Sequence, residues 1–389
     1  MAKVLLVDTN FSSAPIYRAL IEAGHEVHVV GGKPSDCLAK LAPHYWRLDY
    51  SDTNALSALV DEQVFEHLVP GCTDRSYESC VVVAKGRFAG FDRPEAASAV
   101  SNKARFRRLA MRLGLPVPRT YGDIAEAGGR PVIVKPVDSF SGKGITVLQE
   151  PNAPILGDAI ENAQSASPSG DYLIEEFVKG QLYSHSAFLS EQRVVRDFLV
   201  QEDGSANQFS VDTSRVLDPT ENEALFGMLR TCIERLASYL QLTDGVLHTQ
   251  FIRSHQKIWL IELTRRCPGD LYSQLVELST GFPYARSYML PFLAEPYGPS
   301  HEPQLRPVMR HTISVPMERR LDHVRFLRPL NIERYIPLSL VGDQLMPSPR
   351  SRVGVIFCSE ESQHALDFLY AATLRRELYV VSDGTHFGQ

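Results

Sequence analysis

Long hydrophobic runs are missing from this chain of 389 residues. No apolar stretch approaches the roughly 18 residues that a membrane-spanning helix needs. The N-terminus also lacks the apolar region and cleavage site of a signal peptide. With 44% hydrophobic and 22% charged residues, the composition is typical of a globular protein of two or three domains. We therefore expect a cytoplasmic protein without a membrane partner.

Paired cysteines and basic stripes are also missing. The six cysteines show no Cys-x-x-Cys pair and no zinc-type spacing, which predicts free thiols in a reducing compartment. The net charge is -6, and the only short basic clusters are 105–108 and 350–352, which we expect to be solvated faces. Binding to nucleic acid is therefore not predicted.

A Gly-x-Gly-x-x-Gly loop is missing after the first strand, so a dinucleotide is not predicted there. Residues 1–98 nevertheless alternate between apolar runs and helical patterns, which predicts an open parallel α/β sheet. The segment 71–75 follows one of these strands and contains Asp74. A loop at the carboxyl end of such a sheet is expected to contact substrate, although a capped turn explains Asp74 equally well.

The most informative segment is residues 131–148, where two apolar runs flank the polar loop 138–144. This pattern predicts strand, loop and strand. Lys135 lies inside the first apolar run, where its ammonium group needs an anionic partner. Gly142 and Gly144 allow close approach of a ligand to the backbone, and a phosphate-binding lid is the predicted function. An ordinary Gly/Ser hairpin with solvated lysines is the alternative.

Two further segments fit a nucleotide. Lys103 follows Ser101 and Asn102 at a predicted helix start, where the helix dipole disfavours a cation unless an anion binds nearby. Farther along, 171–180 is a predicted strand whose acidic pair precedes Phe177 and Val178. Such a hinge offers backbone groups and an apolar wall to a flat base; an edge strand with exposed carboxylates is the alternative.

A strand pair at 245–253 and 257–266 carries the second informative group of residues. Gln250 and Glu262 are predicted to be buried oxygen ligands on neighbouring strands, with Thr264 on the same face because strand side chains alternate. These oxygens suit Mg²⁺, which completes its shell with phosphate and water. Arg266 repeats the same face and would meet an anion. His248 also shares that face and is a candidate group beside an amine substrate, or a structural histidine.

Taken in order, these motifs resemble the ATP-grasp superfamily, particularly its carbamoyl-phosphate synthase-like and carboxylate–amine (amino-acid) ligase branch. The resemblance implies ATP with Mg²⁺ or Mn²⁺ as cofactors. It also implies residue roles in three groups. The catalytic group is Arg266, Lys143 and His248. The nucleotide group is Lys103, Lys135, Ser141, Gly142, Gly144, Glu175, Glu176, Phe177 and Val178. The metal ligands are Gln250, Glu262 and Thr264.

Two positions depart from the family pattern. Thr264 stands where Asn is common, which implies a weaker second metal site. Leu182 stands where a ribose-binding Glu is common, which removes a hydroxyl contact.

The predicted architecture is α/β and α+β. It comprises a Rossmann-like pre-ATP-grasp domain (1–98), the lid and first nucleotide lobe (99–180), the metal-binding lobe (181–300) and a small α+β lobe (301–389). The resemblance implies an ATP-dependent ligase that joins a small carboxylate to an amine through an acyl phosphate, with a homodimer possible. The alternatives are carboxyphosphate chemistry, or a regulatory ATP-binding protein with a decayed metal site.

Overall fold

The first part of the chain is a four-stranded parallel sheet with helices around it. The computed structural model describes residues 1–139, 142–151, 153–297 and 304–383. The sheet has the order β3-β2-β1-β4, which confirms the predicted parallel architecture. Its strands are β1 (Lys3–Val7), β2 (Glu26–Gly31), β3 (His44–Arg47) and β4 (His67–Pro70). Its helices are α1 (Ala14–Glu22), α2 (Cys37–Leu41), α3 (Thr53–Gln63), α4 (Asp74–Ala84) and α5 (Pro94–Ser101), with a 3-10 turn at Phe11–Ser13.

The carboxyl ends of β1 and β4 lie side by side because these strands pair in parallel. The buried Asp8 carboxylate accepts hydrogen bonds from Ser13 Oγ at 2.7 Å and from the Cys72 backbone at 3.3 Å. A side chain at Gly71 would strike Asp8, at 2.3 Å from its Cβ, so only glycine fits there. These contacts fix the turn from which Asp74 begins α4.

The second part is a small antiparallel sheet of order β5-β8-β6-β7. Asn102 is the N-cap of the helix Lys103–Arg112, because its side chain accepts a hydrogen bond from the Arg105 backbone N–H. The strands β6 and β7 pair across the polar loop, which confirms the predicted strand, loop and strand. The elements are α6 (Lys103–Arg112), β5 (Thr120–Tyr121), β6 (Val132–Pro136), β7 (Thr146–Leu148), α7 (Ala153–Ala166) and β8 (Tyr172–Glu176), with a 3-10 turn at Ile124–Ala127.

The third part is built on an eight-stranded sheet of order β13-β12-β9-β10-β11-β14-β19-β17. Its strands are β9 (Gln181–Ser190), β10 (Arg193–Asp203), β11 (Thr213–Val216), β12 (Gly245–Ser254), β13 (Lys257–Thr264), β14 (Val308–Ile313), β17 (Ile332–Pro337) and β19 (Gly354–Ser359). Two small pairs add β15 (Arg319–Arg320) with β18 (Gln344–Leu345), and β16 (His323–Phe326) with β20 (Tyr379–Ser382). The helices are α8 (Glu223–Leu240), α9 (Tyr272–Thr280), α10 (Tyr284–Met289) and α11 (Gln363–Leu374), with a 3-10 turn at Leu290–Leu293.

This large sheet runs across the predicted domain boundary near residue 300. β14 pairs with β11 on one side and with β19 on the other. The C-terminal strands therefore continue the sheet that carries Gln250 and Glu262, and the division into domains stays a prediction. All six cysteines are free thiols, as predicted. Within the described residues, the structure contains no helix with the length and apolar character required to cross a membrane.

Candidate active site

Gln250 and Glu262 lie directly opposite each other on the antiparallel strands β12 and β13. A bulge follows Gln250, and the next facing pair on the same side is His248 with Thr264. Both oxygen-bearing side chains are half-buried rather than buried as predicted; the side chain of Glu262 is 34% exposed. This opening lets an ion or a phosphate reach the carboxylate.

Lys103 meets this carboxylate from the start of α6. Its Nζ lies 3.3 Å from Glu262 Oε2 and also donates to the backbone oxygen of Ser139 at 3.3 Å. Ser139 belongs to the polar loop after β6. The Lys103 ammonium group therefore pairs with Glu262, the predicted metal ligand. This pairing indicates that the environment of Glu262 favours positive charge.

Lys135, Glu175 and Arg107 form a buried charge triad behind the hinge. Glu175 accepts from Lys135 Nζ at 2.5 Å and from Arg107 Nε at 2.6 Å, and all three residues are at most 5% exposed. Burial alone would raise the pKa of Glu175, but the charges and hydrogen bonds of Lys135 and Arg107 lower it. The carboxylate is therefore ionised and holds the Lys135 ammonium group in position.

Arg107 also connects this triad to strand β13. Its Nη2 donates to the backbone oxygen of Ile261 at 2.8 Å, one residue before Glu262. The sequence pattern predicted a solvated face at 105–108. That prediction is wrong for Arg107, which is 1% exposed, although Arg105 and Arg108 are exposed.

The hinge backbone after β8 is held from both sides. Glu176 N–H donates to the Arg119 oxygen at 2.8 Å, and Phe177 N–H donates to the Pro131 oxygen at 3.1 Å. Val178 is buried beside them, so the segment has an apolar wall at a fixed position. Leu182 lies on β9 opposite Ile252 and supplies no polar atom from its side chain.

The glycine loop has the conformation that its sequence suggests. Gly142 and Gly144 have φ values of 71° and 73°, a region that disfavours other residues. A Cβ at Gly142 would lie 2.7 Å from the Phe209 backbone oxygen, so a residue without a β-carbon is needed there. Lys143 is exposed at the tip. Ser141 lies outside the described residues.

Arg266 forms a two-bond ion pair with Asp74 of the first sheet. Arg266 Nε and Nη2 donate to the two Asp74 oxygens at 2.9 and 3.0 Å, and Thr264 Oγ1 donates to Oδ1 at 2.8 Å. Burial alone would raise the pKa of Asp74, but the Arg266 charge and these hydrogen bonds lower it. Asp74 is therefore an anion that fixes Arg266 and engages the Thr264 hydroxyl; its partners are side chains, not the turn backbone.

His248 lies behind the site rather than in it. Its Nδ1 is bonded to Ser186 Oγ at 2.8 Å, and its ring packs edge-on against Tyr272 with centroids 5.1 Å apart. Burial, followed by the charge of Arg266, lowers the pKa of His248 to about 3. This geometry favours the structural alternative over a role beside the amine.

Glu202 is a site residue that the sequence pattern did not single out. It is 5% exposed, and its Oε2 accepts from Gln250 Nε2 at 2.8 Å. Burial raises the pKa of Glu202 to about 7, although hydrogen bonds from Ser184 and Gln250 act to lower it. Little in the sequence pointed to it, because Glu202 stands between Gln201 and Asp203 at the polar end of β10.

Glu26, His28 and His44 form a separate cluster on the first sheet, with possible ligand atoms within 4.8 Å of one another. The Trp46 indole N–H donates to His28 Nδ1 at 3.1 Å, while Nε2 faces Glu26 at 2.7 Å. Because indole is only a donor, Nε2 carries the ring proton. A metal-binding histidine needs the opposite arrangement, so this cluster is a hydrogen-bonded pair beside a stacked His44.

Comparison with known proteins gives the class. A family model described as an ATP-grasp domain matches residues 129–274. The chain is 26% identical over 322 residues to the phosphoribosylamine–glycine ligase of Pyrococcus furiosus, an alignment that covers 72% of this chain and 71% of that protein. These matches place residues 129–274 in the ATP-grasp superfamily, as the motif order predicted.

Solved structures show the same fold at 16% identity. The L-amino acid ligase from Bacillus licheniformis aligns with a TM-score of 0.76 over 98% of this chain and 99% of that one. The biotin carboxylase domain of a Hydrogenobacter thermophilus 2-oxoglutarate carboxylase, solved with MgADP and bicarbonate, aligns at 0.77 over 98% and 90%. The relatives thus include ligases of this superfamily that form C–N bonds, the predicted class of enzyme.

Proposed function

We propose that this chain is an ATP-dependent ligase that joins a small carboxylate to an amine through an acyl phosphate. The observation that carries the proposal is the facing pair Gln250 and Glu262, with the Lys103 ammonium group 3.3 Å from Glu262. A carboxylate and an amide oxygen on adjacent strands suit Mg²⁺ bound to a nucleotide. When bound, the metal neutralises phosphate charge.

The residues around this pair suit a triphosphate. Lys103 and Lys135 supply cations, and the glycine loop lets a ligand approach the backbone closely. At the hinge, Glu175 positions Lys135, the backbone of Glu176 and Val178 is proposed to contact adenine, and Phe177 and Val178 supply the apolar wall. Phosphoryl transfer depends mainly on positioning and charge neutralisation rather than on a protein nucleophile, and this chain offers both. Lys143, Gly142, Gly144 and Ser141 are proposed to close over the phosphates and exclude water.

The reaction proceeds in two displacements. A carboxylate oxygen of the acid attacks the γ-phosphorus, the bond to the bridging oxygen breaks, and ADP leaves. The amine nitrogen then attacks the acyl carbon, and inorganic phosphate leaves with the electron pair of the C–O bond. The proton released from the nitrogen is taken up by this phosphate. Arg266 is proposed to face the negative charge in both steps. Asp74 fixes its Nε and Nη2, and Nη1 donates to the Cys267 backbone oxygen at 3.2 Å.

One observation favours a second candidate, an ATP-binding protein with little turnover. The Thr264 hydroxyl donates to Asp74, and its oxygen accepts from the Arg266 backbone N–H at 3.4 Å. One lone pair of this oxygen is therefore already engaged, which makes it a weaker ligand for a second metal than the common Asn. In that case nucleotide binds but is not consumed.

The test is ADP release from the purified protein with MgATP, screened against amino acids and small carboxylates, singly and in pairs. Release that requires one acid and one amine is the expected result. Glu262→Gln should abolish ADP release while the thermal unfolding curve stays unchanged. Saturable nucleotide binding with no release under any pair would favour the second candidate, and near-normal release from Glu262→Gln would refute the metal role.

A further inference from the structure

Gln250 can serve a metal only through its amide oxygen, because the amide nitrogen has no free electron pair for coordination. The two ends of the amide are similar in size, so the orientation must be set by a neighbour. In this structure the nitrogen end donates to Glu202 at 2.8 Å. The oxygen end is therefore directed away from β10.

The sheet order explains which side each group occupies. Glu202 is on β10, Gln250 is on β12, and β9 lies between them; Glu262 is on β13, on the other side of β12. Ser184 of β9 faces Gln250 directly, and its hydroxyl donates to Tyr272 at 3.3 Å. Gln250 is thus held from the β9–β10 side, and Glu262 stands on the opposite side.

Glu202 is well placed to fix this orientation. It is 5% exposed, so water does not compete well for its oxygens, and a carboxylate accepts hydrogen bonds without donating any. Its backbone oxygen also accepts from Gln181 Nε2 at 3.0 Å, which restrains the end of β10. A flip of the Gln250 amide would set two oxygens against each other.

We infer that Glu202 is a positioning residue for metal binding: it holds the amide nitrogen of Gln250 and so presents the amide oxygen to the metal beside Glu262. Glu202 itself is not a ligand in this scheme, because the nitrogen end of Gln250 lies between it and the metal. The inference rests on the proposed function, since it concerns the same metal site.

The experiment measures Mn²⁺ affinity by electron paramagnetic resonance at pH 8, in the presence of a non-hydrolysable ATP analogue. Glu202→Gln permits either amide orientation and is expected to weaken Mn²⁺ binding about 10- to 100-fold, the usual effect of losing an outer-shell partner. Affinity for the analogue without metal should be unchanged. Glu277→Gln is the matched control, because Glu277 is a half-buried glutamate bonded to the Ala285 backbone.

Repeating the Glu202→Gln substitution in a Gln250→Glu variant makes the test specific. In Gln250→Glu, residue 250 becomes a carboxylate that meets Glu202 at close range. Adding Glu202→Gln there supplies an amide donor and removes the repulsion, so the same substitution should now strengthen Mn²⁺ binding. A positioning role predicts this change of sign, whereas a role in packing or as a ligand predicts loss in both backgrounds.

Three outcomes would overturn the inference. Unchanged Mn²⁺ affinity in Glu202→Gln would do so, and so would an equal loss in the unmodified and the Gln250→Glu backgrounds. If the unmodified protein binds the analogue but shows no saturable Mn²⁺ site, the proposed function fails, and this inference fails with it.

Discussion

Asp74 and Arg266 join two parts of the chain that are 192 positions apart, through two hydrogen bonds of 2.9 and 3.0 Å. Asp74 begins helix α4 of the first sheet, and Arg266 follows β13 of the large sheet. The orientation of a proposed catalytic arginine therefore depends on the N-terminal part of the molecule.

Asp74→Asn should release Arg266 from this fixed orientation. We expect kcat to fall about 10- to 100-fold, because small displacements of a positioned group have such effects, while the affinity for nucleotide stays the same. Asp61→Asn is the control, since Asp61 pairs with Arg87 on the surface. Steady-state kinetics measures kcat, and titration with nucleotide measures its affinity. An unchanged kcat would show that Arg266 needs no partner.

Arg107→Met should destabilise the protein strongly, whereas Arg108→Met should not. Arg107 is buried against Glu175, and Arg108 is exposed one position along the same helix. Breaking a buried ion pair commonly costs about 3–5 kcal/mol. Urea denaturation of the two variants gives the difference in free energy of unfolding, and equal values would contradict the structural role.

Lys135→Met should weaken nucleotide binding. A hydrogen bond to a charged group contributes roughly 1.5–3 kcal/mol, so we expect the Kd for ADP to rise about 10- to 100-fold. Glu175 keeps Arg107 as a partner in this variant, so we expect a folded but less stable protein, as for Arg107→Met. Lys33→Met, at an exposed lysine, controls for the loss of one charge. Calorimetric titration measures both, and an unchanged Kd would remove Lys135 from the site.

Gly144→Ala should cost more than Gly129→Ala. Both glycines have positive φ, at 73° and 76°, and an alanine in that region costs about 1–2 kcal/mol. Only at Gly144 would the new carbon collide, at 2.5 Å from Ala166 Cβ, which adds roughly 1–3 kcal/mol of overpacking. Equal losses in urea denaturation would mean that the loop moves away from α7 without cost.

The contribution of His311 to stability should fall as the pH is lowered from about 6.5 towards 4. Burial lowers the pKa of His311 to about 4, so between these values the folded protein keeps this ring neutral while the unfolded chain binds a proton. The unfolded state then holds more protons, and protonation favours unfolding by up to about 3 kcal/mol.

The change in the free energy of unfolding with pH separates the titration of His311 from its packing. His311→Asn loses hydrogen bonds to Thr213 and Tyr379, so it should be less stable at pH 7, but its stability should change less between pH 6.5 and 4. His364→Asn, at an exposed position, controls for the loss of a histidine. Parallel curves for His311→Asn and the unmodified protein would contradict the prediction.

The features that the sequence predicted are those decided locally. Asn102 caps its helix through a neighbour three residues away, and β12 and β13 pair across the short turn that joins them. The facing of Gln250 with Glu262 also needs the bulge after Gln250, because an unbroken register would place Ile261 there. The remaining features depend on distant partners. Arg107 lies in a run of basic residues and is buried only because Glu175 and Ile261 converge on it. The link from Glu202 to Gln250 crosses an intervening strand that no local pattern reveals.

The large sheet has a consequence for how this chain can be divided. Strand β14 covers the edge of β11, and β19 covers β14 in turn. A shortened chain that ends after α10 would leave the backbone groups of β11 open to pairing with other molecules. Recombination at that point would therefore yield an aggregating fragment rather than a transferable catalytic module, so we expect the C-terminal segment to fold as one unit with strands β12 and β13.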